Sequence, residues 1–114
     1  MYLLIIILHE EEWLDDVLSC LIELGIEDAV TIDSESMENA LAQKVPIFAG
    51  IRFGLRDRTY SKTVFAITDD PNAGKKIVKF LKEIGINFEE KGVGRIITLS
   101  VESAIGTPKE IEEI

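Results

Sequence analysis

The chain alternates between short, wholly apolar runs and longer stretches in which apolar residues return every third or fourth position. Residues 3–8 form the first run, rich in isoleucine and closed by His9 and three glutamates. A run of that length with no polar alternation predicts a strand buried on both faces. Across residues 11–24 the spacing becomes Trp13, Val17, Cys20, Leu21 and Leu24, the single stripe of an amphipathic helix. Glu10, Glu11 and Glu12 suit the positive end of its dipole, and Gly25 is placed to close it. Residues 29–32 predict a second strand. A short helix over 36–44 carries Met37, Ala40 and Leu41 on one side and ends before Pro46. Residues 63–68 predict a third strand. Asp70-Pro71 then reads as a helix start, the aspartate capping free amides and the proline taking the first helical position. That helix turns Ile77, Val78, Leu81 and Ile84 inward and Lys75, Lys76, Lys79 and Lys82 outward, up to Gly85. Residues 95–101 predict the last strand, and 108–114 an acidic, loose tail.

Two segments repeat. Residues 21–26 (LIELGI) match 81–86 (LKEIGI) at an offset of 60, and the same offset lays strand 3–8 on strand 63–68. Tandem strand-helix-strand units give β-α-β-β-α-β, so the expected fold class is α+β. The layout is ferredoxin-like, with a four-stranded antiparallel sheet, two helices on one face and a long loop between strands two and three. One domain over 1–107 is expected, since 114 residues hold one core and no second. The face of the sheet without helices should be polar, yet the first strand has no polar position and the fourth contains both Ile96 and Ile97. An apolar face of that size predicts a homo-oligomer.

Charge singles out the connection between the second and third strands. Residues 39–62 hold Lys44, Arg52, Arg56, Arg58 and Lys62 against Asp57, a net +4 in a chain of net −9, so the remainder carries −13. Phe48, Ile51 and Phe53 are interleaved with these bases. Long connections without structure of their own are usually functional or disordered. Large apolar residues among arginines favour docking, so Lys44, Phe48, Ile51, Arg52, Phe53, Arg56 and Arg58 are the candidate partner-binding set. The acidic balance argues against nucleic acid as a partner. A single cysteine fits a reducing, cytoplasmic setting, and the apolar N-terminal run is too short to span a bilayer.

Chemistry-bearing residues are sparse. Cys20 falls on an apolar stripe, and no second cysteine or histidine stands by to build a zinc site or a Cys-His pair. No acid, base and nucleophile converge, so an enzyme is not expected. Gly92-Val93-Gly94-Arg95 is the exception: a Gly-x-Gly-basic loop entering a strand can turn backbone amides towards an anion, although a plain turn has the same composition.

The order of elements, Leu14-Asp15-Asp16-Val17 in the first helix, and Glu23-Leu24-Gly25-Ile26 leading to Thr31-Ile32 resemble the nitrogen-regulatory P-II family over about residues 2–107. The long connection then corresponds to that family's T-loop, and the loop 92–95 is similar to its phosphate-binding B-loop, Gly-Asp-Gly-Lys. The resemblance implies a homotrimer that senses a ligand, usually an adenine nucleotide, between subunits. It also implies that the 37–62 loop docks on a target enzyme or on the cytoplasmic face of a membrane transporter. The stretches Ser34 to Glu38 and Gly92 to Arg95 would line the ligand site, with Ser34, Ser36, Gly92, Gly94 and Arg95 as the candidate ligand-binding residues. The sequence departs from the family at Ser34-Glu35-Ser36-Met37-Glu38, where acids stand in place of a glycine-rich start, and at Ala104-Ile105-Gly106-Thr107, where an arginine pair is missing. These departures weigh against ATP bound in the usual way and leave a smaller anion, a mononucleotide or another metabolite open. Two other builds share the strand order. One is the trimeric divalent-cation tolerance family, which would use His9, Glu10 to Glu12 or Cys20 for metal. The other is the amino-acid-sensing ACT module, whose hairpins are shorter.

Overall fold

Strands β1 (Tyr2–Leu8), β2 (Ala29–Ser34), β3 (Ser61–Thr68) and β4 (Gly94–Ser100) form one sheet in the order β2-β3-β1-β4. Every neighbouring pair is antiparallel. This is the ferredoxin-like arrangement expected from the duplicated strand-helix-strand unit. The computed structural model describes residues 1–44, 61–109 and 111.

Helices α1 (Leu14–Glu23) and α3 (Ala73–Glu83) pack on one face of the sheet and on each other. Leu4, Ile6 and Leu8 of β1 point into this layer with Val64 and Ala66 of β3, all fully buried. Val17, Cys20 and Leu21 of α1 meet them, as do Ala73, Ile77 and Leu81 of α3. The 60-residue repeat is a repeat of core positions. Leu4 corresponds to Val64, Ile6 to Ala66, Val17 to Ile77, Leu21 to Leu81 and Ile26 to Ile86, and each of these is buried. Burying one such aliphatic side chain contributes about 1.5–3 kcal/mol, so the repeat marks the positions on which the layer depends.

The LIELGI and LKEIGI segments each fold into the same helix stop. Ile26 N–H donates to the Leu21 carbonyl (2.8 Å) and Gly25 N–H to that of Ile22 (2.9 Å); Ile86 and Gly85 repeat the pattern on Leu81 (2.9 Å) and Lys82 (3.1 Å). This paired arrangement needs a left-handed residue between the two donors. Gly25 and Gly85 supply it with φ of 75° and 93°.

Two helix starts and the faces of one short helix differ from expectation. The first helix begins as a 3₁₀ turn, Glu11–Trp13, held by Trp13 N–H on the Glu10 carbonyl (3.3 Å), and becomes α-helical only at Leu14. Asp70-Pro71 forms a turn ahead of α3, which is α-helical from Ala73. The Asp70 carboxylate still accepts the Asn72 N–H (2.8 Å), so it caps that turn while the helix proper starts beyond it. The short helix between β2 and the long connection, α2 (Met37–Lys44), is present, but its faces are not as expected. Met37 is 77% exposed and Asn39 is buried. Polar partners explain the inversion: Asn39 N–H donates to the Ser36 hydroxyl (3.1 Å) and its Nδ2 to Glu35 Oε1 (3.3 Å).

The other face of the sheet carries Leu3, Ile5 and Ile7 of β1, flanked by Phe65 and Ile67 of β3, Ile97 and Leu99 of β4, and Val30 and Ile32 of β2. No helix of the α1–α3 layer covers it. Val30, Ile32 and Leu99 are 60%, 48% and 47% exposed, and the β1 residues are half-buried by their neighbours alone. Among the described residues no helix is long and apolar enough to cross a membrane.

Candidate functional site

The apolar face turns polar at one end. There β2 runs out at Ser34, β3 enters at Ser61, and β4 enters at Gly94, while β1 leaves through Ile7 to His9. A hollow of about 690 Å³ opens at this end, lined by Ser34, Glu35, Ser36 and Met37 on the β2–α2 side. Lys91, Gly92, Gly94 and Arg95 line the β4 side, and Ile7, His9, Ser61 and Thr63 lie between. All five residues expected at a ligand site (Ser34, Ser36, Gly92, Gly94 and Arg95) therefore border one concavity, although they come from opposite edges of the sheet. Of the expected partner-binding set, Lys44 is the last residue of α2. Phe48, Ile51, Arg52, Phe53, Arg56 and Arg58 lie outside the described residues.

Each wall has a local cause. On the β2 side, the hydroxyl of Ser36 caps α2, which fixes the turn after β2 and brings Glu35 to the rim. Ser34, Ser61 and Thr63 form a chain of hydroxyls: Thr63 donates to Ser34 Oγ (2.8 Å), and Ser34 and Ser61 share a hydrogen bond of 2.6 Å. Ser61 and Thr63 are buried, so three O–H groups hold one another at the floor, and among the described residues the third proton has no acceptor side chain. A ligand could accept it.

On the β4 side, Gly94 approaches β1 too closely for any side chain. A Cβ there would collide with the Ile7 carbonyl and come within 2.9 Å of the Phe88 ring. Gly92 is left-handed, with φ of 86°. The loop does not present all its amides, and one of them serves the turn itself. Val93 N–H goes back to the Glu90 carbonyl (3.4 Å), and the Val93 carbonyl accepts His9 N–H (3.2 Å). Positive charge on this wall comes chiefly from side chains, Arg95 in β4 and Lys91 before it, both exposed.

The neck of the long connection is pinned on both faces of the sheet. On the open face Ser34 pairs with Ser61, as above. On the helix face the Lys62 ammonium binds the Asp33 carboxylate. That hydrogen bond raises the Lys62 pKa above its usual value; slight burial opposes it, and the charges of Asp33 and Glu11 add to it. The connection therefore leaves the sheet from a fixed pair of strand ends, directly beside the hollow.

Other candidate groups lie elsewhere. Cys20 is fully buried in α1, and burial, with the nearby Glu23 charge, pushes its thiol up to about 11. It stays protonated at neutral pH and packs as a small apolar residue. Among the described residues no group of three or more His, Cys, Asp or Glu side chains gathers to hold a metal ion. Sequence reasoning placed Glu35 at the site but passed over Lys91, His9, Ser61 and Thr63 as lining residues. The strand register that brings them together, Ile7 opposite both Thr63 and Arg95, is visible only in the sheet.

No family model matches the chain, and no curated protein matches it closely enough to count as a relative.

Proposed function

We propose that the chain is a P-II-like signalling protein: a homotrimer that senses a small anionic metabolite or nucleotide in the hollow beside Arg95 and relays its presence through the 37–62 loop to a target protein, an enzyme or the cytoplasmic face of a transporter. The observation that carries the reading is the convergence of Ser34, Ser36, Gly92, Gly94 and Arg95 on one concavity at the root of that loop. Two further features support it. The open apolar face beside the hollow is of the kind that a second copy would cover, and the basic-apolar composition of the connection suits a docking segment.

Mechanistically, a ligand whose anionic end is held by Arg95 and Lys91 and which is long enough to cross the floor would also touch the hydroxyls of Ser34 and Ser61. Those hydroxyls define where the connection leaves the sheet. A ligand with different affinity for two settings of that neck shifts the loop's population, and no other coupling is required.

The test is a thermal-shift panel of inorganic phosphate, adenosine mono- and triphosphate and 2-oxo acids on the full chain, repeated on Arg95→Ala. Binding at a hundredfold excess over Kd stabilises by about 2.7 kcal/mol. At least one anion is expected to raise Tm in the wild type and to lose that effect in Arg95→Ala. A panel flat for both proteins overturns the ligand-sensing reading.

A further inference from the structure

The hollow is lined unevenly, and the unevenness has a chemical meaning. Its cationic side chains, Arg95 and Lys91, stand on the β4 side, while its carboxylate, Glu35, stands on the β2 side. These strands are the two edges of the sheet, with β1 and β3 between them. Neighbouring strands lie about 4.8 Å apart, so the two walls rise from backbones roughly 14 Å apart. The floor between them supplies Ile7 as an apolar strip and the Ser34–Ser61–Thr63 hydroxyls as neutral donors and acceptors.

From this layout we infer that the hollow selects a bipolar ligand: an elongated small molecule with a carboxylate or phosphate at one end, a protonated amine at the other and an aliphatic stretch between. Glu35 is the residue that determines the selection. The inference rests on the reading of the hollow as an anion site and goes beyond it by assigning the opposite end.

Glu35 is suited to the task by the way it is held. Its Oε1 accepts from the buried Asn39 (3.3 Å), and Ser36 next to it is fixed as the cap of α2. One carboxylate oxygen therefore anchors the side chain, and among the described residues no donor takes the other. A ligand with negative charge at both ends would set its second charge against Glu35, at a cost of the same kind as that of any like-charge contact across a recognition surface. An amine at that end forms a charge-assisted hydrogen bond, one of the stronger single polar contacts available. An anion that is short enough to stay with Arg95 and Lys91 gains nothing from Glu35 and loses nothing to it. Length and end-group chemistry are thus read together.

Ligand-observed NMR titrations of the full chain test this with three matched sets of probes. These are γ-aminobutyrate, δ-aminovalerate and ε-aminocaproate; the amine-free butyrate, valerate and caproate; and the two-acid glutarate and adipate, with inorganic phosphate as a reference anion. The amino acid of best-fitting length is expected to bind about tenfold or more tightly than its amine-free partner, as a charge-assisted contact supplies, and the dicarboxylates more weakly than either. Glu35→Gln, which keeps the acceptor for Asn39, is expected to erase the amine's advantage and relieve the penalty on glutarate and adipate. Arg95→Ala is expected to weaken every probe. If the carboxylates and phosphate bind through Arg95 while the amine adds nothing, or if Glu35→Gln keeps the preference, this inference falls and the anion site stands. If neither phosphate nor any carboxylate binds, the anion site falls and this inference falls with it.

Discussion

The two faces of the sheet are built from the same kinds of residue and have different fates. Leu4, Ile6 and Leu8 point to one face of β1 and are fully buried. Leu3, Ile5 and Ile7 point to the other and are only half-buried, although nothing in their chemistry separates them from the first set. The difference lies in what covers each face. Helices α1 and α3 each bring an apolar stripe that recurs at helical spacing, and their copies of LxxxGI stop both helices where the stripe ends. The short α2 brings Asn39 inward and leaves Met37 outside, so it cannot seal the second face in the same way. A face sealed by its own helices is a core, and an equally apolar face that none of the described helices seals is the one the proposed trimer would cover.

Truncation under the sealed face should have the largest effect. Leu81 of α3 is fully buried and is the repeat partner of Leu21. Leu81→Ala removes buried methyl groups and leaves a cavity between α3 and the sheet, a change that costs about 2–5 kcal/mol in well-packed cores. Urea unfolding should show a lower midpoint with an unchanged m-value. A loss under 1 kcal/mol would mean that the layer tolerates a void there and that the contrast between the faces is overstated.

A charge on the unsealed face should act on assembly and not on folding. Val30 and Leu99 lie near opposite edges of that face and are 60% and 47% exposed within one chain. Substituting both with lysine buries no charge in the single chain, and such surface changes usually move stability by no more than about 0.5 kcal/mol. In the proposed trimer the same lysines would lie in a desolvated contact. Sedimentation equilibrium should show a trimer for the wild type and a monomer of native circular dichroism for the double variant. A wild type that sediments as a monomer at micromolar concentration would sink the proposed assembly.

These contrasts also show what the sequence made legible. Strands without polar alternation, two helical stripes and the 60-residue repeat carry the core, because burial and periodicity are local properties of a chain. The repeat even marked the helix stops, since Gly25 and Gly85 have the left-handed backbone that their position requires. The hollow was legible only in part. The stretches 34–38 and 92–95 were placed through resemblance, whereas His9, Ser61, Thr63 and Lys91 join them only once the strands are paired, and strand register is a long-range property. Composition gave no sign that Val93 would spend its amide on Glu90 or that Asn39 would be buried.

The smallest expected effect sits at the rim of the sealed face, and it separates burial from charge as causes of stability. Asp70, ahead of α3, binds the Lys76 ammonium (2.6 Å) and accepts the Asn72 N–H (2.8 Å). The hydrogen bond from Lys76, then that from Asn72, holds the Asp70 carboxyl below its usual range, with slight burial opposing. A carboxyl with a lowered folded pKa stabilises the fold above its unfolded value and loses that contribution as the pH falls through the folded one. Asp70→Asn keeps an acceptor for Asn72 and removes only the charge. The wild type should therefore exceed Asp70→Asn in Tm by a constant small margin from neutrality down to about pH 5, and the margin should close below about pH 4. Lys76 is exposed and Asp70 is only half-buried, so added salt should shrink the margin as well. A margin that persists unchanged at low pH would rule out the ionised carboxylate, and with it the ion pair, as its source. Either margin would remain well below the Leu81→Ala effect, because an exposed pair gives up little hydration on folding and gains correspondingly little, whereas Leu81 leaves water altogether.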